Sequence, residues 1–426
     1  MKVGLPYGAG RLEVDLPDSA VVVEPKFRSA ARDQAALLRQ ALRSPVAGPP
    51  LARLVAPGSR VAVAVCDGTR PQPRELMVRA ILDELEGIVP DQDVTVLVAT
   101  GTHRANTEAE LEAMLGRDLP GRLKVINHDA RDGSSLVDLG LHGDGVPVLL
   151  NRHFVDADIR ITTGFVEPHF FAGFSGGPKL VAPGLAGLET VLVLHDARRI
   201  ANPRATWGVL EDNPVHADIR AIASAIGVDF AFDVVLNRDQ QIVEAFAGEL
   251  FAMHSAAVRA SRASAMVEVP HRFDVVVTTN GGFPLDQNLY QSVKGMSAAA
   301  EVVAHDGLIL VVSECRDGFP DFGGFRTLLT EAVPPEARFA SLADRRTVPD
   351  QWQVQVQARV QTYARVAVHC EGLSDTELEL AHLGAAPDIT VAVAGELARI
   401  GPGATCCVLP EGPQTIPYLR ESQAGL

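Results

Sequence analysis

Lysine is scarce: only Lys2, Lys26, Lys124, Lys179 and Lys294 occur among the 38 basic residues of this 426-residue chain, so nearly all its positive charge is arginine. A chain so biased keeps a lysine either by chance or where a nucleophile or a compact point charge serves better than a guanidinium fork. Lys179 and Lys294 both lie beside glycines in loop-like stretches. Positive charge is short overall as well. With 53 acidic residues the formal net charge is -15, which argues against nucleic acids and anionic membranes as partners, although a local pocket can still hold a small anion. Long apolar runs are missing. The N-terminal MKVGLPYGAGRLEVDLP carries glycine, proline and acidic residues where a signal peptide needs an apolar core, and the expectation is a soluble, cytoplasmic protein without membrane attachment. The five cysteines (Cys66, Cys315, Cys370, Cys406 and Cys407) are odd in number and contain no C-x-x-C, which fits reduced, buried thiols better than a disulfide framework or a zinc site. H-E-x-x-H and acidic calcium loops are absent, as is G-x-G-x-x-G after a strand. A phosphate-binding P-loop is excluded because Pro178 interrupts the required G-K step and Leu180 stands where Ser or Thr is needed.

What is present is apolar material for more than one core: 47% of residues are hydrophobic, and the length favours two domains. Short apolar runs alternate with helical patterns: RVAVAVC (60–66), VTVLVAT (94–100), RLKVIN (122–127), DIRITT (158–163), DVVVTT (274–279), LILVVS (308–313) and ITVAVAG (389–395). This alternation predicts two α/β domains with mostly parallel sheets, divided near residue 270 into 1–270 and 271–426. A helix is predicted over 74–87 with Leu76, Ala80, Ile81 and Leu85 on its apolar face, and a second is predicted to start at a Thr107–Glu110 capping box.

In open α/β sheets, functional groups gather in loops beyond the carboxyl ends of strands. Four such loops carry polar, titratable residues: DGTR with Asp67, Thr69 and Arg70; GTHR with Thr102 and His103; EPHFFAGFSGGPK with His169, Ser175 and Lys179; and NGGFPLDQNLYQSVKG with Tyr290, Gln291 and Lys294. Taken singly, DGTR reads as an Asp-anchored turn, GTHR as a helix entry and the glycine segment as a surface turn. Four on successive units point to a shared crevice. His195, in LETVLVLHDARR, shares a helical face with Leu188, Val191 and Leu192, the usual setting of a core histidine.

Taken in order, D-G-T-R (67–70), G-T-H-R (101–104), H-F-F-A-G-F-S-G-G-P-K (169–179), L-H-D-A-R (194–198), N-P-V-H (213–216), L-Y-Q-S-V-K-G (289–295) and Q-W (351–352) resemble the nickel-dependent lactate racemase family over most of the chain. The resemblance implies an active site in the cleft between two α/β domains. It implies a nickel-pincer cofactor, pyridinium-3,5-bisthiocarboxylic acid mononucleotide, loaded by separate biosynthesis proteins, with a lysine like Lys179 able to tether it and a histidine like His195 ligating nickel. It implies inversion of a small 2-hydroxy acid by hydride transfer through a 2-keto acid, and that chemistry needs an acid/base group for each hydroxyl orientation, His103 and His169. Unperturbed imidazole titrates at about 6.5, and such proton transfer contributes on the order of 10²–10⁴ in rate. Arg70 and Lys294 are the candidate cations for the substrate carboxylate, and the resemblance implies that Tyr290, Gln291 and Trp352 help shape its pocket. Asp67 either orients a neighbouring base or Arg70, or contacts the cofactor. Thr69, Thr102 and Ser175 are candidates for holding the cofactor phosphate. Pro178, directly before Lys179, departs from the family pattern and bears on the approach of the amine. Two other readings stand beside this one: a Schiff-base lyase using Lys179, trapped by borohydride and indifferent to nickel, and a non-catalytic binder of the nickel cofactor. A homo-oligomer is left open.

Overall fold

Val61–Cys66 is buried at every position, as a strand covered on both faces must be. It lies within a six-stranded sheet ordered Ile242–Gly248, Phe230–Leu236, Ile159–Phe165, Val61–Cys66, Val94–Ala99 and Lys124–Asn127. Every neighbouring pair is parallel except the edge pair Phe230–Leu236 and Ile242–Gly248. The helices Gln34–Arg43 and Arg74–Leu85 cover it, placing Leu38, Leu42, Met77 and Ile81 against Val63, Val96 and Phe232. A second sheet, ordered Gly384–Ala385, Arg365–His369, Val303–Val312, Phe273–Thr279, Cys406–Leu409 and Val21–Val22, is parallel throughout. Its core takes in the hairpin Lys2–Tyr7/Gly10–Asp15 through Val3, Leu5 and Val14.

This computed structural model describes residues 1–26, 28–320, 323–343 and 345–420. Two units result: Met1–Lys26, His195–Glu211 and Ser264–Leu426 in one, Phe27–Leu194 and Asp212–Ala263 in the other. A single cut near residue 270 therefore differs from the packing at two places, because the N-terminal hairpin and the 195–211 segment belong with the C-terminal sheet. Chain order alone carries no sign of such a return.

ITVAVAG, read above as a strand, is the start of the helix Ile389–Ile400. Asp388 caps it by accepting the Val391 N–H at 2.9 Å, and Ile389, Val393 and Glu396 are buried at helical spacing while Val391 is 66% exposed. The strand it was expected to supply is Cys406–Leu409. The 74–85 helix forms, but its buried apolar residues are Met77, Val78, Ala80, Ile81 and Leu85, and Leu76 points outward. The Thr107–Glu110 capping box closes on both sides. Among the described residues no helix is long and apolar enough to cross a membrane. The cysteines are all free thiols; burial pushes those of Cys66, Cys406 and Cys407 up to about 12, so they stay protonated.

Candidate active site

Ile159–Phe165, Val61–Cys66 and Val94–Ala99 are adjacent and parallel, so the loops that follow them leave the sheet at the same end. The loops after Val61–Cys66 and Val94–Ala99 meet through Asp67 and His103. His103 Nδ1 lies 2.7 Å from Asp67 Oδ2, and Thr69 Oγ1 donates to Asp67 Oδ1 at 2.7 Å. Arg70 Nη1 donates to Thr69 Oγ1 at 3.3 Å, which closes a chain Arg70–Thr69–Asp67–His103. Burial pushes the Asp67 carboxyl up, but the His103 hydrogen bond, the charges of His103 and Arg70, and the Thr69 hydroxyl outweigh it and hold the group at about 2. With Asp67 ionised, the His103 proton belongs on Nδ1 and the lone pair on Nε2, the arrangement of a base. The Asp67 side chain is 5% exposed and that of His103 42%, so the carboxylate is shielded while the ring reaches solvent.

The loop itself is built by two residues that sequence reasoning passed over. Gln72 bridges strands, accepting from the Cys66 N–H at 2.7 Å and donating to Thr163 Oγ1 at 2.8 Å. Arg74, buried at the start of its helix, donates to the carbonyls of Cys66, Gln72, Asp67 and Arg70. Its guanidinium replaces the ladder partners the backbone loses as it turns, so it is spent on the loop and not on a substrate.

The glycine-rich segment is held more firmly than its composition implies. Pro168–His169 and Gly173–Phe174 pair as a short hairpin, and Gly177–Leu180 forms a tight turn bearing Lys179. Gly176 (φ 73°) and Gly177 (φ 50°) take left-handed conformations, and a Cβ at Gly177 would lie 2.6 Å from the His254 ring. The glycines thus serve close packing, not free movement. His169 packs on Phe170 and Phe171 with ring centroids 4.9 and 4.5 Å away, and its Nδ1 accepts the Ala172 N–H at 3.3 Å. The Lys179 ammonium sits 5.9 Å from the Phe171 ring centre. Asn213, from N-P-V-H, caps the helix Pro214–Ile226 and donates to the Phe171 carbonyl at 2.9 Å. Ser175 is engaged by its own loop, donating to the Phe165 carbonyl and accepting the Glu167 N–H, both at 3.0 Å. Thr102 is half-buried, and its carbonyl accepts from Arg131 at 3.3 Å.

In the other unit, the helix Leu289–Ala300 carries Tyr290, Gln291 and Lys294 on its first turns, and Lys294 Nζ donates to Gln291 Oε1 at 2.9 Å. The helix Gln351–Gln361 supports two parts of this unit at once. Trp352 lies 4.6 Å from the His195 ring centre, Gln353 donates to the Tyr290 carbonyl, and Gln355 donates to the Ala197 carbonyl at 2.8 Å. The helix containing the 188–194 residues stops at Leu194, burying Thr190, Val191 and Leu194, so His195 is not on its face but in the break before Asp196, which caps Ala197–Ala201. His195 as a whole is 7% exposed.

Residues 7–208 match the lactate racemase N-terminal domain and residues 269–416 the lactate racemase C-terminal domain. The lactate racemase of Thermoanaerobacterium thermosaccharolyticum is 35% identical over 364 residues, covering 84% of this chain and 85% of that protein. The chain belongs to the lactate racemase family. A lactate racemase of Lactiplantibacillus plantarum is 33% identical over 378 residues, covering 88% of this chain and 89% of that one. The solved lactate racemase apoprotein of T. thermosaccharolyticum superposes with a TM-score of 0.91 at 32% identity, covering 98% of this chain and 100% of that one. A Thermotoga maritima protein, at 19% identity and a TM-score of 0.67, shares the fold, covering 91% of this chain and 98% of its own. This lactate racemase family member is accordingly an enzyme of the isomerase class, a racemase.

Within the family frame, the donor set can be tested against the implied nickel nucleotide. Among the described residues no three of His, Cys, Asp and Glu converge into a metal cage. A single buried imidazole at His195, braced by Trp352, suits a metal that arrives already ligated by an organic group, and the ordered Lys179 turn offers an amine. His195 in one unit and the Lys179 turn in the other are each, taken separately, a donor that fits such a group.

Proposed function

We propose that the chain racemises or epimerises a small 2-hydroxy acid, lactate or a close relative, using a nickel-pincer nucleotide held by His195 and tethered or contacted by Lys179. The observation that carries this reading is the Asp67–His103 pair at 2.7 Å, an oriented base at the carboxyl end of a parallel sheet, within a chain of the lactate racemase family. When bound, the nickel nucleotide supplies reversible acceptance of hydride from the carbinol carbon, which turns the hydroxy acid into a 2-keto acid. His103 Nε2 takes the hydroxyl proton of one enantiomer while Asp67 stabilises the resulting imidazolium. His169 serves the opposite hydroxyl orientation. Arg70 and Lys294 bind the substrate carboxylate, with Tyr290, Gln291 and Trp352 around the remainder of the substrate; one pocket fed by both units is part of the proposal. Thr69 and Thr102 are assigned to the nucleotide phosphate, while Ser175, whose hydroxyl, N–H and carbonyl are all engaged by Phe165, Glu167 and His254, braces the loop beside them. Cofactor-biosynthesis proteins are the partners needed for loading.

The test loads the protein with assembled cofactor and measures nickel content beside His195→Ala, then follows chirality with lactate, malate and larger hydroxy acids. Stoichiometric nickel that is lost in His195→Ala, with chiral conversion that leaves Cα protiated in D₂O, is the expected result. No nickel uptake by folded protein, or rapid deuterium entry at Cα, overturns the reading, and borohydride trapping at Lys179 by a carbonyl substrate would put a Schiff-base lyase in its place.

A further inference from the structure

Asp233 lies mid-strand in Phe230–Leu236, in FAFDVVL, directly opposite Gly164 of the neighbouring strand. It is 0% exposed. Oδ2 accepts the Gly177 N–H at 2.6 Å, the first residue of the turn that carries Lys179. Oδ1 is buried without a hydrogen-bond partner among the described residues; a Cβ on Gly164 would lie 3.0 Å from it, and one on Gly176 2.6 Å from Oδ2. Gly164 and Gly176 thus leave room for a carboxyl group that the apolar strand pattern does not call for. A second buried side chain grips the same turn. His254 Nε2 donates to the Ser175 carbonyl at 2.9 Å, its ring lies against Gly177, and His216 stacks on it at 5.9 Å between centroids.

We propose that Asp233 is a positioning residue for Lys179: its carboxyl latches the Gly176–Lys179 turn shut when protonated, and loss of the proton loosens the turn and exposes the amine. The inference rests on the reading that Lys179 is the functional amine of this site. A carboxylate formed here would have one N–H partner and an oxygen facing hydrocarbon, so opening the turn to water is its way of regaining solvation. Burial pushes the group up to about 7, against the Gly177 N–H, which favours the ion. The titratable groups around the latch do not change charge in that range: burial holds the Cys66 thiol up at about 12 and the His254 ring down at about 4, and burial also holds His216 down at about 3, with Arg220 and Lys179 adding to the depression of both rings.

The experiment measures acetylation of Lys179 by an N-hydroxysuccinimide ester in the full-length protein without cofactor, read by peptide mass spectrometry, between about pH 5 and about pH 9. Asp233→Asn imitates the protonated carboxyl, and Asp233→Ala removes the latch. Wild type should show a several-fold step in rate near pH 7, above the smooth rise of lysine reactivity taken from a surface lysine of the same protein. Asp233→Asn should lack the step and stay slow, while Asp233→Ala should react about ten-fold faster than wild type at low pH. Thermal melting accompanies each sample, and should Asp233→Ala fail to fold, Asp233→Asn alone decides. An identical step in wild type and Asp233→Asn, or no step in wild type, overturns the proposal. A racemase reading that failed would instead leave the acetylation profiles intact and show no chiral conversion in loaded protein.

Discussion

At the scale of single residues, Asp67 is the most informative side chain. A depressed carboxyl contributes stability that is present above its unfolded value near 3.8 and is lost as pH falls through about 2. The lost part is roughly 2 kcal/mol, by the size of the shift. Asp67→Asn removes the anion that keeps the His103 proton on Nδ1 and stabilises the imidazolium. Its expected effect in loaded enzyme is a fall in kcat on the order of 10²–10⁴, with KM for the hydroxy acid changed far less. Equal losses in kcat and 1/KM would instead make Asp67 a substrate-binding group. D-G-T-R and G-T-H-R made Asp67 and His103 legible as loop residues, but nothing in their spacing joined them; the pairing comes from the adjacency of two parallel strands. Asp233 was not legible at all, because a lone acid in a strand is ordinarily solvent-facing, and only the glycines packed around it reveal otherwise.

At the scale of elements, the Lys179 turn depends on backbone conformations that only glycine adopts readily. Gly177→Ala places a Cβ on the His254 ring at φ 50° and is expected to cost on the order of 2 kcal/mol. For a chain of this size that lowers the melting midpoint by roughly 4–8 °C, following about 2–4 °C per kcal/mol in larger domains. An unchanged midpoint in a differential scanning experiment would show that the turn yields easily. The helix at 389–400 shows the other side of element-level reading. Seven alternating small and apolar residues satisfy a strand template, yet the Asp388 cap and the i, i+4, i+7 burial satisfy a helix, and the parallel sheet already receives its strand from Cys406–Leu409. Tertiary placement decided between two periodicities that a short run leaves level.

For the whole molecule, the buried titratable groups set an acid response whose sign can be worked out. His216 and His254 are held down at about 3 and about 4, so between about pH 4 and about 6.5 the unfolded chain binds two protons there that the folded one does not. Asp233 has the opposite sense: its raised value means stability present below 3.8 and lost as pH rises through about 7, with the folded chain holding one proton more. The net for these three is one extra proton on the unfolded chain, a stability that rises by about 1.4 kcal/mol per pH unit across that window. Asp233→Asn should steepen the measured slope of unfolding free energy against pH by the same amount, in urea titrations from about pH 4 to about pH 6.5. A slope equal to that of wild type would mean that Asp233 is ionised in the fold. By itself the sequence determined the class of the molecule: mostly parallel sheets from β-branched apolar runs, an acidic net charge, and ordered loop motifs whose family assignment the lactate racemase relatives bear out, because these properties depend on composition, period and order along one chain. Only the tertiary structure decided which loops touch, where the N-terminal hairpin and the 195–211 segment pack, that His195 sits in a helix break, and which buried carboxyl accepts from the turn that carries Lys179, since each follows from contacts between residues far apart in the chain that no local pattern encodes.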